Sequence, residues 1–217
     1  MTKKRVYRWI PAERIGHWAY VALFIAALIS ARSAGERGEG SRSATGNPAV
    51  LHGTLGLLMI GIPLLLFLLF ARKRLVENVR EVTHWDADDW AWLRKAIRGG
   101  ALLRREMPPQ GRFNAGQKLA TMLAGLIALV ILITGCILLF AGRGHLSHGA
   151  WGATIGIHVG FVVFALVVLV GHVAHVVLLK GGTKYLASMF TGWLEEETAK
   201  DHHYKWWKQA PSNEEGK

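Results

Sequence analysis

Four long apolar stretches, separated by polar and charged segments, dominate the hydrophobic pattern of the chain: residues 15–31, 50–71, 119–141 and 153–179. A helix needs about 20 predominantly apolar residues to cross the hydrocarbon core of a bilayer. Because no water there can bond to exposed backbone groups, such stretches must be helical. The pattern therefore predicts an all-α integral membrane protein built on a bundle of four transmembrane helices.

The polar segments complete the predicted organisation. Within the loop 72–118, the sequence "DADDWAWLRKAIRGG" predicts a short amphipathic helix that ends at Gly99–Gly100 and lies at the membrane surface, with Trp90 and Trp92 in the interface. Residues 183–217 mix tryptophans with charges, which predicts a partly helical interfacial tail. We accordingly divide the chain into a transmembrane domain, residues 1–182, and this tail.

Basic residues are distributed very unevenly about the four spans. Of the 26 Lys and Arg residues, 5 precede the first span, 11 lie in the loop 72–118 and 6 follow the fourth span, which is 22 against 4 in the other two loops. The positive-inside rule then places both termini and the loop 72–118 in the cytoplasm. The net charge of +11 is explained by this topology and by contact with anionic lipid, and it does not indicate a nucleic-acid partner.

Of the five histidines inside the predicted spans, four fall at two depths. His17 and His172 fall near the cytoplasmic ends of the first and fourth spans, and His52 and His158 fall near the outer ends of the second and fourth. His158 and His172 are 14 residues apart, so on a helix they share a face within about 40° and are separated by about 21 Å. Depth therefore pairs His17 with His172 and His52 with His158.

Polar groups within a membrane are costly, so each is expected to have a specific role. For these histidines the possible roles are a proton relay, a structural hydrogen bond between helices, or ligation of a metal. Two imidazoles on opposite sides of a haem make a six-coordinate electron-transfer centre. The depth pairing favours two haems, and the absence of Asp and Glu from the spans weighs against a relay or transport protein, which stays the alternative. His175 lies off the shared face, and the remaining histidines are predicted to be solvated or interfacial: His84, His145, His148, His202 and His203.

Several motifs resemble the cytochrome b (gamma) subunit of respiratory, membrane-bound formate dehydrogenase. The most specific is "RFNAGQK" at Arg112–Lys118, followed by "ITGCILL" in the third span, "KGG" at 180–182 and "HHYKWW" in the tail. The resemblance extends from "ERIGHW" to "KDHHYKWWKQ", which is most of the chain. It implies a four-helix bundle that binds two b-type haems, with the ligands His17 and His172 for the inner haem and His52 and His158 for the outer one.

The resemblance also implies partners and a direction of electron flow. Electrons enter from an iron–sulfur (beta) subunit on the outer face, which connects to a molybdenum or tungsten catalytic (alpha) subunit, and they leave to a quinone near the cytoplasmic face. The chain would thus be the electron-transfer subunit of an enzyme complex in the bacterial cytoplasmic membrane, with the quinone-reduction site but not the formate site. The related cytochrome b of a nickel–iron hydrogenase, or of another oxidoreductase, is the alternative within the same class.

The turn "NAGQ" is the quinone site that the resemblance implies, through Asn114, Gly116 and Gln117. Amide side chains donate and accept hydrogen bonds, and a glycine lets a flat ligand approach the backbone closely. A simpler interpretation is that Asn114 caps the third transmembrane helix. The two roles are compatible.

Overall fold

The computed structural model of the chain describes residues 4–36, 48–99, 107–141, 145–178 and 181–210. Its four long helices are each long and apolar enough to cross a membrane: α1 (Pro11–Glu36), α2 (Pro48–Phe70), α5 (Ala115–Cys136, continued by the π-helical segment Ile137–Ala141) and α6 (His148–Leu178). The four predicted spans are thus confirmed as helices. Each helix begins a few residues before the predicted stretch, because the prediction counted only apolar positions and the first turns carry polar residues.

Shorter elements fill the segments between and after the long helices. They are β1 (Arg5–Tyr7), α3 (Arg72–Thr83), α4 (Ala87–Ile97), α7 (Gly182–Thr191), β2 (Trp193–Glu195), α8 (Glu196–His202) and α9 (Tyr204–Gln209). The strands β1 and β2 pair antiparallel, with Arg5 opposite Glu195. This ribbon was not predicted, because three-residue strands leave no detectable alternation in the sequence.

The amphipathic helix predicted in the loop is α4. It begins at a capping box, in which Asp86 accepts hydrogen bonds from the backbone of Asp88 and Asp89 while the Asp89 carboxylate accepts from the Asp86 backbone. It ends before Gly99, whose φ of 80° is favourable only for glycine. Gly100, the other residue of the predicted stop, lies outside the described residues. Helix α3 occupies residues that were predicted as loop.

The chain folds as two compact units. The first, called the bundle unit, consists of Ile15–Ala71 and Gly125–Val170, and the second, called the terminal unit, consists of Met1–Arg14, Arg72–Ala124 and Gly171–Lys217. The terminal unit therefore combines the tail with the loop 72–118 and the first residues of the chain. The predicted division, into residues 1–182 and the tail, instead separated segments by their order along the chain.

The two units bury different kinds of side chain. In the bundle unit, large apolar side chains along the long helices are exposed, as Leu69 and Val167 are, which suits a helix surface that faces lipid. In the terminal unit, by contrast, the largest fully buried side chains include Arg8, Gln110 and His203. Buried polar groups need partners, and their partners form the network described below.

Candidate functional site

His52 and His158 face each other inside the bundle unit. Their ring centroids are 6.3 Å apart, and the ring planes are inclined at 79°. His52 comes from the first turns of α2 and His158 from the N-terminal half of α6, so two helices distant in sequence supply the pair. The pairing by depth that the sequence predicted is thus found for these two residues.

Hydrogen bonds fix the tautomer of His52. Its Nδ1 lies 2.9 Å from the backbone oxygen of Ala27 and 3.2 Å from the hydroxyl oxygen of Ser30. A carbonyl oxygen can only accept, so Nδ1 must carry the proton and donate it. The other ring nitrogen, Nε2, then holds its lone pair free for a metal ion.

The same conclusion holds for His158, through a different partner. Its Nδ1 lies 2.9 Å from the Thr134 hydroxyl oxygen, and that hydroxyl donates its one proton to the Val130 carbonyl oxygen at 2.7 Å. With its proton already committed, the hydroxyl can only accept from the imidazole. His158 therefore also carries its proton on Nδ1 and has a free lone pair on Nε2.

The pair fits a haem iron between the two rings. Imidazole nitrogens bind first-row metal ions at about 2.0–2.1 Å, and a ring centroid lies roughly 1.1 Å behind its nitrogen, so opposed imidazoles on one ion have centroids about 6–6.5 Å apart. The 6.3 Å separation of His52 and His158 agrees with this. Gly56, one turn along α2 from His52, has open space where a Cβ would stand, as a flat macrocycle requires.

Two further glycines near the His52–His158 pair allow a side chain of another helix to approach closely. A Cβ on Gly135 would lie 3.3 Å from the His158 ring, and one on Gly53 would lie 2.8 Å from the Leu139 side chain of the π-helical segment. Gly135 thus lets the His158 imidazole lie against α5. The π-helical segment starts two residues later, and such segments occur frequently at functional sites.

The other two predicted ligands lie on α1 and on α6. His17 belongs to the bundle unit, where its ring lies 5.2 Å from the Trp18 ring, and His172 belongs to the terminal unit. Because they fall in different units, their pairing stays a prediction.

The turn before α5 contains a reciprocal cap. The Asn114 side-chain oxygen accepts a hydrogen bond from the Gln117 backbone at 2.9 Å, and the Gln117 side-chain oxygen accepts one from the Asn114 backbone at 3.1 Å. This is the capping-box arrangement with Asn and Gln in place of the more common Ser and Glu. The cap interpretation of Asn114 is therefore confirmed.

The cap leaves both amide amino groups pointing elsewhere. The side-chain oxygens accept the capping bonds, and neither the Asn114 Nδ2 nor the Gln117 Nε2 donates to another group within the described part of the chain. Both side chains are only partly buried. A Cβ on Gly116 would lie 2.9 Å from the Trp92 indole ring, so the space beside Gly116 is filled by Trp92. Trp92 accordingly packs against the turn.

Ion pairs anchor the two ends of the motif "RFNAGQK". Arg112 pairs with the buried Glu13 at 2.8 Å, and Lys118 pairs with the buried Asp89 at 2.8 Å. The buried Gln110 just before the motif accepts from the Ala115 backbone at 2.8 Å. The position of the turn is therefore set by contacts to α1, to α4 and to the preceding loop.

Arg8 was not among the predicted site residues, yet it lies against the turn. Its Nη2 donates to the Arg112 carbonyl oxygen at 2.7 Å and lies 3.5 Å from the Gln117 side-chain oxygen. Three aromatic rings surround the guanidinium at 5.0–5.4 Å, those of Trp9, Tyr185 and Trp206. Complete burial lowers the pKa of Arg8 to about 9.

His203, predicted to be solvated or interfacial, is instead completely buried. Its Nδ1 donates to the Gly111 carbonyl oxygen at 2.9 Å, and its Nε2 accepts from the Tyr185 hydroxyl at 3.2 Å. Burial lowers the pKa of His203 well below 6.5 and raises that of Tyr185 to about 12, so both are neutral at pH 7. The prediction failed because the contacts come from segments 18 and 92 residues away.

Comparison with known proteins places the chain in a family. Residues 8–192 match the family described as prokaryotic cytochrome b561. The chain is also similar to the formate dehydrogenase cytochrome b556(fdo) subunit of Escherichia coli strain K12, with 25% identity over 226 residues that cover 98% of this chain and 96% of that protein. The same subunit in two other E. coli strains matches equally.

The chain therefore belongs to the prokaryotic cytochrome b561 family, whose members are helical, haem-binding membrane bundles of electron transport. The predicted resemblance to the cytochrome b subunit of formate dehydrogenase is confirmed. Four apolar helices together with this family make the chain an integral membrane protein that uses haem b.

Proposed function

We propose that the chain is the di-haem cytochrome b subunit of a formate dehydrogenase complex. In this role it anchors the complex and passes electrons from an iron–sulfur partner through two haems to a quinone. The observation that carries the proposal is the His52–His158 pair, whose ring centroids are 6.3 Å apart and whose Nδ1 atoms are both committed as donors. The match along 98% of the chain supports formate dehydrogenase as the complex.

His52 and His158 would hold one haem, and His17 and His172 the other. Each haem, when bound, supplies a one-electron centre. Two histidine ligands to one iron would leave no coordination position for oxygen, and the histidines would thereby restrict the centre to electron transfer. The backbone of Ala27 and the hydroxyl of Thr134 hold the two imidazoles in the required tautomer.

The hydrogen bonds of the pair also weigh against the proton-relay alternative. A relaying imidazole takes a proton on one nitrogen and releases it from the other. The Nδ1 proton of His52 points at a backbone carbonyl oxygen, which has no proton to exchange, and that of His158 points at a hydroxyl bonded in turn to a carbonyl. Both bonds end at backbone groups.

The proposed orientation follows from the charge distribution. The 22-to-4 ratio of basic residues supports cytoplasmic termini and a cytoplasmic loop 72–118 in the bacterial inner membrane. The iron–sulfur subunit, which connects to a molybdenum or tungsten catalytic subunit, would then contact the outer face, nearest to His52 and His158. The turn at Asn114 would lie at the cytoplasmic face, where a quinone can take up protons.

The quinone is proposed to bind at this turn. A quinone presents two carbonyl oxygens, which accept hydrogen bonds, and the side-chain amino groups of Asn114 and Gln117 are donors left over by the cap. Gly116 has an indirect role in this proposal, because its missing side chain lets the Trp92 indole ring lie against the start of α5.

Purification of the tagged chain in mild detergent, with identification of the associated subunits and an absorption spectrum, tests this proposal. We expect a reduced b-type α band and co-purification of an iron–sulfur protein and a molybdenum or tungsten formate dehydrogenase. Association with a nickel–iron hydrogenase would establish the alternative partner, and a preparation without haem would contradict the cytochrome assignment itself.

The order of electron transfer is tested in the same complex with three alanine variants. His52→Ala should block electron uptake from the iron–sulfur partner. His17→Ala should leave the outer haem reducible by formate while quinone reduction stops. His175→Ala, which changes a histidine of α6 outside the proposed pairs, is the matched control and should behave as wild type. Normal quinone reduction in His17→Ala would show that the proposed order is wrong.

A further inference from the structure

The two histidines of the bundle unit differ in what receives their Nδ1 proton. For His52 the acceptor is the Ala27 backbone carbonyl oxygen at 2.9 Å, with the Ser30 hydroxyl further away at 3.2 Å. For His158 the nearest acceptor is the Thr134 hydroxyl oxygen at 2.9 Å, and the backbone of Ile131 contributes a further hydrogen bond. A side-chain substitution can therefore remove the nearest acceptor of His158, whereas that of His52 belongs to the main chain.

The position of Thr134 in α5 leaves its hydroxyl oxygen available only as an acceptor for His158. Its side chain is largely buried, and its proton is given to the Val130 carbonyl oxygen at 2.7 Å, one turn back, with the Ile131 oxygen at 3.2 Å. The oxygen lone pair is thus directed at the imidazole. The adjacent Gly135, where a Cβ would lie 3.3 Å from the His158 ring, lets the ring come close enough to use it.

We propose that Thr134 is a positioning residue that fixes the tautomer of His158, sets how strongly this imidazole donates electrons to the haem iron, and so lowers the reduction potential of the outer haem. This rests on the proposed function, in which His52 and His158 hold that haem. A hydrogen bond accepted from Nδ1–H makes the opposite nitrogen a stronger donor. A stronger donor stabilises the ferric iron relative to the ferrous, which is a lower potential.

Ser30 supplies an internal comparison. Like Thr134, it places a hydroxyl near the Nδ1 of a histidine, but its removal is expected to have a smaller effect on the haem potential. Its hydroxyl donates to the Ala27 carbonyl oxygen at 2.8 Å and lies near the Nδ1 of His52. Removing this hydroxyl leaves the carbonyl oxygen as the acceptor for His52. We therefore expect loss of the hydroxyl to have a larger effect at position 134 than at position 30.

The test is an equilibrium redox titration of the intact complex carrying Thr134→Val, Thr134→Ser or Ser30→Ala, with haem content measured for each. Valine matches threonine in shape and lacks the hydroxyl. We expect Thr134→Val to shift the potential of one haem to more positive values and leave the other unchanged. Thr134→Ser should restore the potential toward wild type, and Ser30→Ala should shift it less than Thr134→Val does. The ferric low-spin electron paramagnetic resonance signal of the same haem should change in parallel.

Selective loss of one haem in Thr134→Val, with both haems retained in Thr134→Ser, would equally support the positioning role, because the hydroxyl alone separates the two variants. The proposal is overturned if Thr134→Val has full haem content and unchanged potentials, or if the serine and valine variants lose haem alike. A failure of the proposed function itself would be recognised separately. If His158 does not bind haem, His158→Ala would retain every haem of the wild type, whatever the Thr134 variants do.

Discussion

Asn114 and Gln117 cap each other at the start of α5, through hydrogen bonds of 2.9 and 3.1 Å from each backbone to the other's side-chain oxygen. The cap uses both side-chain oxygens and leaves both side-chain amino groups available as hydrogen-bond donors. One pair of residues can therefore begin a transmembrane helix and bind a carbonyl ligand at once. The capping and quinone interpretations concern different atoms of the same side chains, which allows substitutions to separate them.

Asn114→Asp and Gln117→Glu should weaken quinone binding while the helix stays capped. Asp caps about as well as Asn, and Glu is a usual partner in a capping box. Each change removes an amino donor, and a hydrogen bond is worth about 0.5–1.5 kcal/mol net, so quinone affinity should fall roughly two- to tenfold. Quinone-dependent turnover and inhibitor binding at constant haem content measure the effect. Asn114→Ala, which removes donor and cap together, should also lower stability, and normal turnover in both acidic variants would place the quinone elsewhere.

Glu13→Gln should destabilise the terminal unit strongly. Glu13 is buried and pairs with Arg112 at 2.8 Å and with Arg74 at 3.3 Å. Removing one member of a buried ion pair leaves an uncompensated charge and typically costs about 3–5 kcal/mol. The exposed partner of Arg74, Glu77, provides the control, since Glu77→Gln removes a surface pair worth about 0–1 kcal/mol. Thermal unfolding in detergent measures both variants, and equal loss in both would contradict the buried network.

Acidification should loosen the terminal unit through His203. Burial holds its pKa well below 6.5, so the unfolded chain binds more protons than the folded chain once the pH falls below about 6.5. The contribution of neutral His203 is thus full above that pH and declines as the pH falls toward the folded pKa. Proteolysis near residues 107–113 between pH 7.5 and 5 should accelerate, and less so in His203→Gln. The same pH response in His203→Gln would assign it to another group, and His148→Gln, at an exposed position, controls for general effects.

The sequence predicted the four long helices and the depth pairing of His52 with His158, because both follow from where the apolar stretches begin and end along the chain. It did not predict the ribbon between β1 and β2 or the burial of Arg8 and His203. Those features depend on contacts between residues about 90 to 190 positions apart, for which a single sequence contains no signal. The basic character of Arg8 suggested topology alone, although two of the three aromatic rings around it, those of Tyr185 and Trp206, come from the tail.

The site was predictable to a similar degree. Histidine inside an apolar stretch is conspicuous, so the candidate ligands could be found from the sequence. The groups that orient them could not, since Thr134 and Ser30 are ordinary residues of membrane helices and become specific only when the helices pack. For the turn at Asn114, the capping pattern was visible, whereas the filling of the space beside Gly116 by Trp92 required the structure.

The central claim is that His52 and His158 hold one of two haems between them, and haem stoichiometry tests it most directly. Pyridine haemochrome analysis against protein mass should give two b-type haems for each wild-type chain. His158→Ala leaves His52 as the only protein ligand at that site, so the content should fall to one haem, or the second should become high-spin. Two intact low-spin haems in His158→Ala, or fewer than two in a fully loaded wild-type chain, would contradict the account.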